Sequence, residues 1–196
     1  MEISQSITEW REREKVLIKR SLFPGMTQSR VPKDCVIEFQ GFRGNDDEFI
    51  VKELVIADVD TCFVVGYFLF KPPYTFSQLT KKAATTNRWL TSYFHYISWD
   101  EGFISYDELP SIIKHYMNIY DCVNTRGHEK SQLLASFAKK PIINYHQKIP
   151  LRRFSAPCVG IKDFRHSNTN CAVNNALRLV DLMRDNGGRY TESGGK

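Results

Sequence analysis

No stretch of this sequence stays apolar for the roughly 18 residues that a membrane-spanning helix needs, which argues against an integral helical membrane protein. No CxxC pair occurs, and the five cysteines (Cys35, Cys62, Cys122, Cys158 and Cys171) are odd in number and scattered. A secreted disulfide framework would show an even, closely spaced set, so reduced thiols in a cytoplasmic or nuclear protein are expected. The opening MEISQSITEWREREK is polar and charged where a signal peptide would be apolar, which predicts no secretion. Long charge runs and internal repeats are also missing. The formal net charge is +5, and basic pairs stand apart at Lys81 and Lys82, Lys139 and Lys140, and Arg152 and Arg153. Such pairs either meet phosphates or form solvated surface.

What is present suits one folded domain. The chain has 196 residues, 42% hydrophobic and 13% aromatic, enough to bury a sizeable core. Residues 6–23 read as an N-terminal helix. Ser6 and Glu9 form a capping box, and Ile7, Trp10 and Leu17 form an apolar stripe that must bury on the main domain or on a partner. Pro24 and Gly25 end it, so residues 1–33 are expected to be an arm and linker, residues 34–184 the domain, and the Gly-rich residues 185–196 a flexible tail.

Within the domain, three strands are predicted at 35–42, 48–57 and 62–70. The connections RGNDD and DVDT are rich in turn formers, which favours an antiparallel meander. Pro72 and Pro73 stop the third strand. A helical stretch follows over 76–94. Ser105 and Glu108 then form a second capping box, with Leu109, Ile112, Ile113 and Tyr116 at helical spacing after it. A strand at 119–125, a helix from His128, a short strand in PIINYH, an irregular basic segment over 147–169 and a last helix complete the order. The last helix places Ala172, Ala176, Leu179, Val180 and Met183 on one stripe, shared by Asn175. The expectation is an α/β domain: a mixed sheet of three antiparallel strands and two further strands, with helices on its faces.

Several residues invite chemistry. Glu38 and Gln40 in VIEFQGF lie two apart on a strand and so share a face. Two carboxylates at that spacing on a first strand would suit a metal-dependent nuclease, but here the second is an amide. The plainer alternative is an edge strand with polar residues toward water. Cys158, His166 and Cys171, with His146, hold ligand types for zinc but no close pair such as C-x2-C, so core cysteines and a surface histidine are the competing account. Cys122 and His128 are a weaker nucleophile pair, since a cysteine on a short buried strand usually acts as a small hydrophobe. His95 is expected to pack or cap locally. Tyr93, Phe94, Tyr96 and Trp99 around it have the character of a base-stacking platform, but helical segments bury such stripes, so core is expected. Lys148, Arg152, Arg153, Lys162 and Arg165 cluster in the irregular segment as candidate phosphate contacts, with a solvated loop as the alternative.

Taken in order, VIEFQGF, EFIVKELVIAD, YFLFKPPYTFS and FHYISWDE resemble the successive motifs of the DEDD-type 3′–5′ exonucleases, whose first strand carries D-x-E. VNTRGHEKSQLL stands where that family has AHNAxFDxxFL, and NCAVNNALRL where it has HNALDDALRL, so the likeness runs from about Cys35 to Met183. It implies a ribonuclease H-like fold. It also implies four carboxylates around two divalent metals, magnesium or manganese, that activate a water and stabilise the leaving oxygen. Carried over by position, the acids fall on Glu38, Gln40, Lys130 and Asn175, and the general base on Asn170. Three of four acids are lost, and Lys130 brings a cation where a metal would sit.

The resemblance therefore implies a fold without its catalytic centre and without a metal cofactor, acting by binding DNA, RNA or a protein. The segments KPPY, NRWL and CAVNNA are also similar to sequences seen in insect viruses and mobile elements, which suggests an accessory protein of that kind. Two alternatives stay open. One is an active magnesium or manganese nuclease with a rearranged set such as Glu38, Glu53 and Asp121. The other is a protein-interaction module docking through Trp10 and Leu17 of the N-terminal helix.

Overall fold

The structure, a computed structural model, describes residues 34–137, 139–145 and 171–185. Three consecutive strands, β1 (Asp34–Arg43), β2 (Phe49–Asp58) and β3 (Val64–Leu69), form the expected antiparallel meander. Two short strands, β4 (Cys122–Thr125) and β5 (Ile142–Asn144), extend the sheet on the other side of β1, each parallel to its neighbour. The order across the open mixed sheet is β3-β2-β1-β4-β5, so the first strand in sequence is the central one. The helices are α1 (Lys81–Trp89), α2 (Leu109–Ile119), α3 (His128–Ala135) and α4 (Ala172–Asp185). Helix α3 makes the crossover between the parallel strands β4 and β5.

The strands read as nearly unbroken apolar runs because both faces of the sheet are covered. Cys35, Ile37 and Phe39 of β1, with Leu54 and Ile56 of β2, pack beneath Leu109, Ile113 and Met117 of α2 and Leu134 of α3. Val36, Val55 and Ala57 point the other way, under Ala172, Ala176, Leu179, Val180 and Met183 of α4. Farther along that second face, Phe42 and Ile50 pack on Trp99, with Leu79 and Leu90 beside them. A register shift between β1 and β2 leaves Lys52 as an extra residue opposite the Gln40 to Gly41 step. Such a bulge bends the strand and re-aims side chains.

The helical stretch expected over 76–94 is three pieces. A 3-10 turn at Phe76–Gln78 ends before Thr80, whose hydroxyl accepts from the Ala83 amide at 3.3 Å and starts α1. Helix α1 then passes into a π-helical turn, Leu90–Phe94, which closes on the 3.1 Å bond from the His95 amide to the Leu90 carbonyl. The capping box expected at Ser105 and Glu108 does not form. A 3-10 turn, Tyr106–Glu108, intervenes, and α2 begins only at Leu109, with Pro110 pre-setting its first turn. Strand β4 starts later than expected because α2 runs through Ile119.

Of the aromatic group expected in the core, Trp99 and His95 are buried against Phe42, Phe94 is half-buried, and Tyr93 and Tyr96 are exposed. The N-terminal helix with Trp10 and Leu17, most of the basic segment and the Gly-rich tail lie outside the described residues. Asp185, expected in the tail, still belongs to α4.

Gly41 lies where β1 and β2 approach closely beside the bulge. A Cβ there would run into the Ile50 carbonyl oxygen and come within 2.6 Å of the Phe49 ring. Gly41→Ala should therefore destabilise the domain by about 1–3 kcal/mol through overpacking. Urea denaturation should show a lower midpoint with an unchanged m-value, and an unshifted midpoint would contradict the close approach.

Candidate functional site

The central strand carries polar side chains that cannot reach water. Val36, Glu38, Gln40 and Phe42 alternate onto one face of β1, between the apolar cover of α4 and that of Trp99. Glu38 is 2% exposed and Gln40 7%. That excludes the edge-strand account: β1 is paired on both sides, and neither residue faces solvent.

Glu38 sits where β4 has ended and β1 continues. The carboxyl end of a strand at a change of topology is where open α/β sheets form their crevices. Here that position is filled by an ion pair. The Lys130 ammonium, in the first turn of α3, donates to Glu38 Oε2. Glu38 Oε1 accepts from the Arg126 amide at 2.8 Å and from the Thr125 hydroxyl at 3.4 Å. The Lys130 ammonium also lies 5.4 Å from the centre of the Phe39 ring, a cation–π contact. Gly127, at φ 110°, supplies the left-handed residue that turns the chain from β4 into α3 and brings Lys130 back over the sheet.

Glu53 lies directly across the ladder from Gln40. Its Oε2 accepts from the Ala172 amide at 2.8 Å, so the carboxyl group docks the first turn of α4, and the Tyr67 hydroxyl also bonds to it. Burial pushes Glu53 up to about 7, against the downward pull of the Ala172 amide, the Tyr67 hydroxyl and the Lys130 charge. Lys52, fully buried at the bulge, donates its ammonium to the Trp99 carbonyl at 2.6 Å and to the Glu101 carbonyl. Burial brings it down to about 8, although Glu101 and Asp100 act in the other direction. His95, also buried, is lowered to about 4 by desolvation and accepts from the Ile97 amide at Nδ1.

The structure thus brings Glu38, Gln40, Lys130 and Glu53 into one buried polar seam. Asn175 is half-buried, three residues past Ala172 on α4, and less enclosed than a place on the inward stripe would require. Asp121 does not join them. It is exposed and precedes Cys122, the residue level with Asp34, which puts it about five positions along the strand from Glu38, or roughly 16 Å at the usual rise. Cys122 and His128 stand at opposite ends of β4, and burial raises the Cys122 thiol, so the pair forms no nucleophile. Cys171 is buried at the start of α4, where its sulfur accepts from the Asn174 amide at 3.3 Å. Asn170, His146, Lys148, Arg152, Arg153, Cys158, Lys162, Arg165 and His166 lie outside the described residues.

Sequence reasoning missed Tyr67, Lys52 and the Thr125 to Arg126 turn. Tyr67 was within reach, since strand alternation and the meander register put it on the face of Val55 and Glu53. Lys52 was not, because nothing in EFIVKELVIAD marks the bulge that turns it inward.

The donor set does not suit a two-metal centre. Both Glu38 oxygens are taken by protein donors, one of them a cation, and Gln40 brings no charge. Glu53 Oε2 is committed to a helix amide. Among the described residues no group of three or more His, Cys, Asp or Glu side chains is placed to hold a metal ion. No protein-family model matches the chain, and no curated protein matches it significantly.

Two predictions follow from the seam. Lys130→Ala strands the Glu38 carboxylate and should cost about 3 kcal/mol, whereas the double substitution Glu38→Gln with Lys130→Met should cost far less. Urea denaturation of both measures this, and equal losses would show that the ion pair is not what Lys130 contributes.

The second concerns pH. His95, held near 4 against a usual 6.5, gains its proton on unfolding, so its contribution to stability is lost as pH falls from 6.5 toward 4. Glu53, held near 7 against a usual 4.5, keeps its proton in the native state, so its contribution is lost as pH rises from 4.5 to 7. The two slopes oppose each other between 4.5 and 6.5. Glu53→Gln should leave stability rising with pH there by about 1.4 kcal/mol per unit, and His95→Gln should leave it falling. Denaturation at pH 4.5, 5.5 and 6.5 reads both slopes. Matching pH profiles for the two variants would refute the assignment.

Proposed function

We propose that this chain is a ribonuclease H-like domain, similar to the DEDD exonucleases, that binds its target and does not cleave it. The observation that carries this reading is the bond from the Lys130 ammonium to Glu38, at the position where the resemblance would have two metal ions. A strand order of β3-β2-β1-β4-β5, antiparallel through the first three strands and parallel beyond, agrees with that fold.

Magnesium and manganese would need several anionic oxygens at this position, because each ion gives up its water reluctantly. Glu38 is engaged, Gln40 is neutral, and Lys130 repels a divalent cation. What remains is a rigid, internally neutralised sheet of the exonuclease kind, available as a scaffold for recognition. A rearranged acidic set fits poorly, because Asp121 lies at the other end of β4.

The reading is tested with labelled single- and double-stranded DNA and RNA in magnesium and in manganese, together with calorimetric titration of either metal. No degradation and no saturable metal site are expected. Degradation that disappears in Glu38→Ala would overturn the proposal. Gln40→Glu combined with Lys130→Asp, confirmed as folded by circular dichroism, should acquire a saturable manganese site by restoring carboxylates around Glu38.

A further inference from the structure

Between Lys71 and Trp99 the chain contains no aspartate or glutamate, yet it carries Lys71, Lys81, Lys82, Arg88 and His95. Helix α1 and its π-helical extension lie in this acid-free stretch. The inner face of α1 is small and apolar or internally bonded. Ala83 and Ala84 are buried, and the Asn87 side chain exchanges hydrogen bonds with the backbone of Arg43 at 2.8 and 2.9 Å. The outer face is different. Lys82, Thr86, Trp89 and Tyr93 follow one another at helical spacing, and all are exposed. Trp89 is 53% exposed, Tyr93 68% and Tyr96 54%.

Large rings in water call for a reason when they are clustered. Here one feature of the backbone groups Trp89 with Tyr93 and Phe94, and another turns Tyr96 outward. Trp89 lies 6.4 Å from Tyr93, its i+4 neighbour, and is also stacked on Phe94, its i+5 neighbour, at 6.1 Å and 22°. An α-helix brings only i+3 and i+4 together. The i+5 stacking depends on the wider π-helical turn, a rare geometry that recurs at functional sites. Tyr96 has φ 59°, a left-handed conformation uncommon for a bulky side chain, and it turns the ring out to solvent while His95 and Ile97 on either side are buried. Of the carboxylates from neighbouring segments, Glu48 accepts from Tyr74 and Glu101 accepts from the Ser98 amide, while Asp47 lines a shallow pocket with Lys82 and Thr86 at the amino-terminal end of α1, away from the rings.

We infer that the outer face of α1 and its π-turn is a binding platform for single-stranded nucleic acid. Trp89, Tyr93 and Tyr96 would stack on unpaired bases, and Lys81, Lys82 and Arg88 would meet the phosphates. Exposed ring faces on a basic segment that itself carries no carboxylate match the two chemistries of a single strand, whose bases offer π-faces and whose backbone is anionic. A duplex hides its bases and a protein partner would not require the absence of carboxylates, so both fit less well. The inference names the target of the binding domain proposed above and rests on that reading for the general role, but it uses residues apart from the Glu38 seam.

The test is fluorescence anisotropy with labelled oligo-dT and oligo-U in EDTA at about 50 mM salt, so that the result does not depend on whether the chain holds metal. Wild type should bind both single strands, with affinity falling as salt rises. Trp89→Ala and Tyr93→Ala should each weaken binding about tenfold or more, while Trp89→Phe retains most of it, because any aromatic face can stack. Lys81→Gln with Lys82→Gln should flatten the salt dependence. Both rings are exposed, so the variants should keep the wild-type melting temperature. Equal affinity of wild type and Trp89→Ala, or tighter binding to a blunt duplex than to single strands, would overturn the platform. Nuclease activity in magnesium, by contrast, would overturn the non-catalytic reading and leave the platform standing.

Discussion

A carboxylate in the middle of a central strand has to be neutralised where it stands, and much of this architecture follows from that need. Strand β1 is paired on both sides and covered on both faces, so Glu38 has no route to solvent. Its charge is met by a lysine from the next crossover helix and by the backbone of the turn that leads into that helix. A buried charge without such partners is costly enough that the group would keep its proton or the strand would shift. The β4 to α3 connection is therefore more than a link between strands. Its length, its left-handed Gly127 and the position of Lys130 in the first turn of the helix are all conditions for keeping β1 where it is.

Glu53 on the neighbouring strand takes the other course and is held near 7, so that it keeps its proton where Glu38 keeps its charge. In place of a cation it takes the first amide of α4, a donor that every helix leaves unsatisfied within its own turn, and the hydroxyl of Tyr67. Lys52 answers with backbone carbonyls at the turn after Trp99. Polar residues on one face of the sheet thus fix the approach of three separate segments: the first turn of α3, the first turn of α4 and the Trp99 to Glu101 turn. Apolar packing holds these segments against the sheet, and directional bonds decide where along it they stop.

Much of the fold was legible in the residues. The turn-forming connections RGNDD and DVDT, with apolar runs between them, announce the meander, and α4 declares itself through the spacing of Ala172, Ala176, Leu179 and Val180. The single helix expected over 76–94 failed because Gln78 and Thr80 break the pattern locally and because a π-turn has no periodic signature in so short a segment. Ser105 and Glu108 have the right spacing for a capping box, but Pro110 places the start of the helix later. At the site, Glu38, Gln40 and Lys130 were reachable through motif order, whereas the enclosure of Glu38 was not. Burial of a strand comes from which strands pair with it, and the central place of β1 depends on the parallel addition of β4, a contact between residues almost 90 apart that no local pattern encodes. The exposure of Tyr93 and Tyr96 was hidden for the opposite reason: aromatic residues beside a helix ordinarily go inside, and only the π-turn and the left-handed Tyr96 turn them out.

The bond between the Ala172 amide and Glu53 joins residues 119 apart in sequence. Val36, Val55 and Ala57 share the face that α4 covers, so that apolar surface stays bare until the chain has been made through the last helix. During synthesis the meander, α2 and the β4–α3–β5 crossover all emerge from the ribosome first, with one side of their sheet finished and the other open. Closing so long a loop costs entropy that no local contact repays in advance, and sheets of high contact order assemble slowly for this reason. The nascent chain is therefore most prone to aggregate in the interval before residues 171–185 arrive, when a chaperone would have an apolar sheet face to hold.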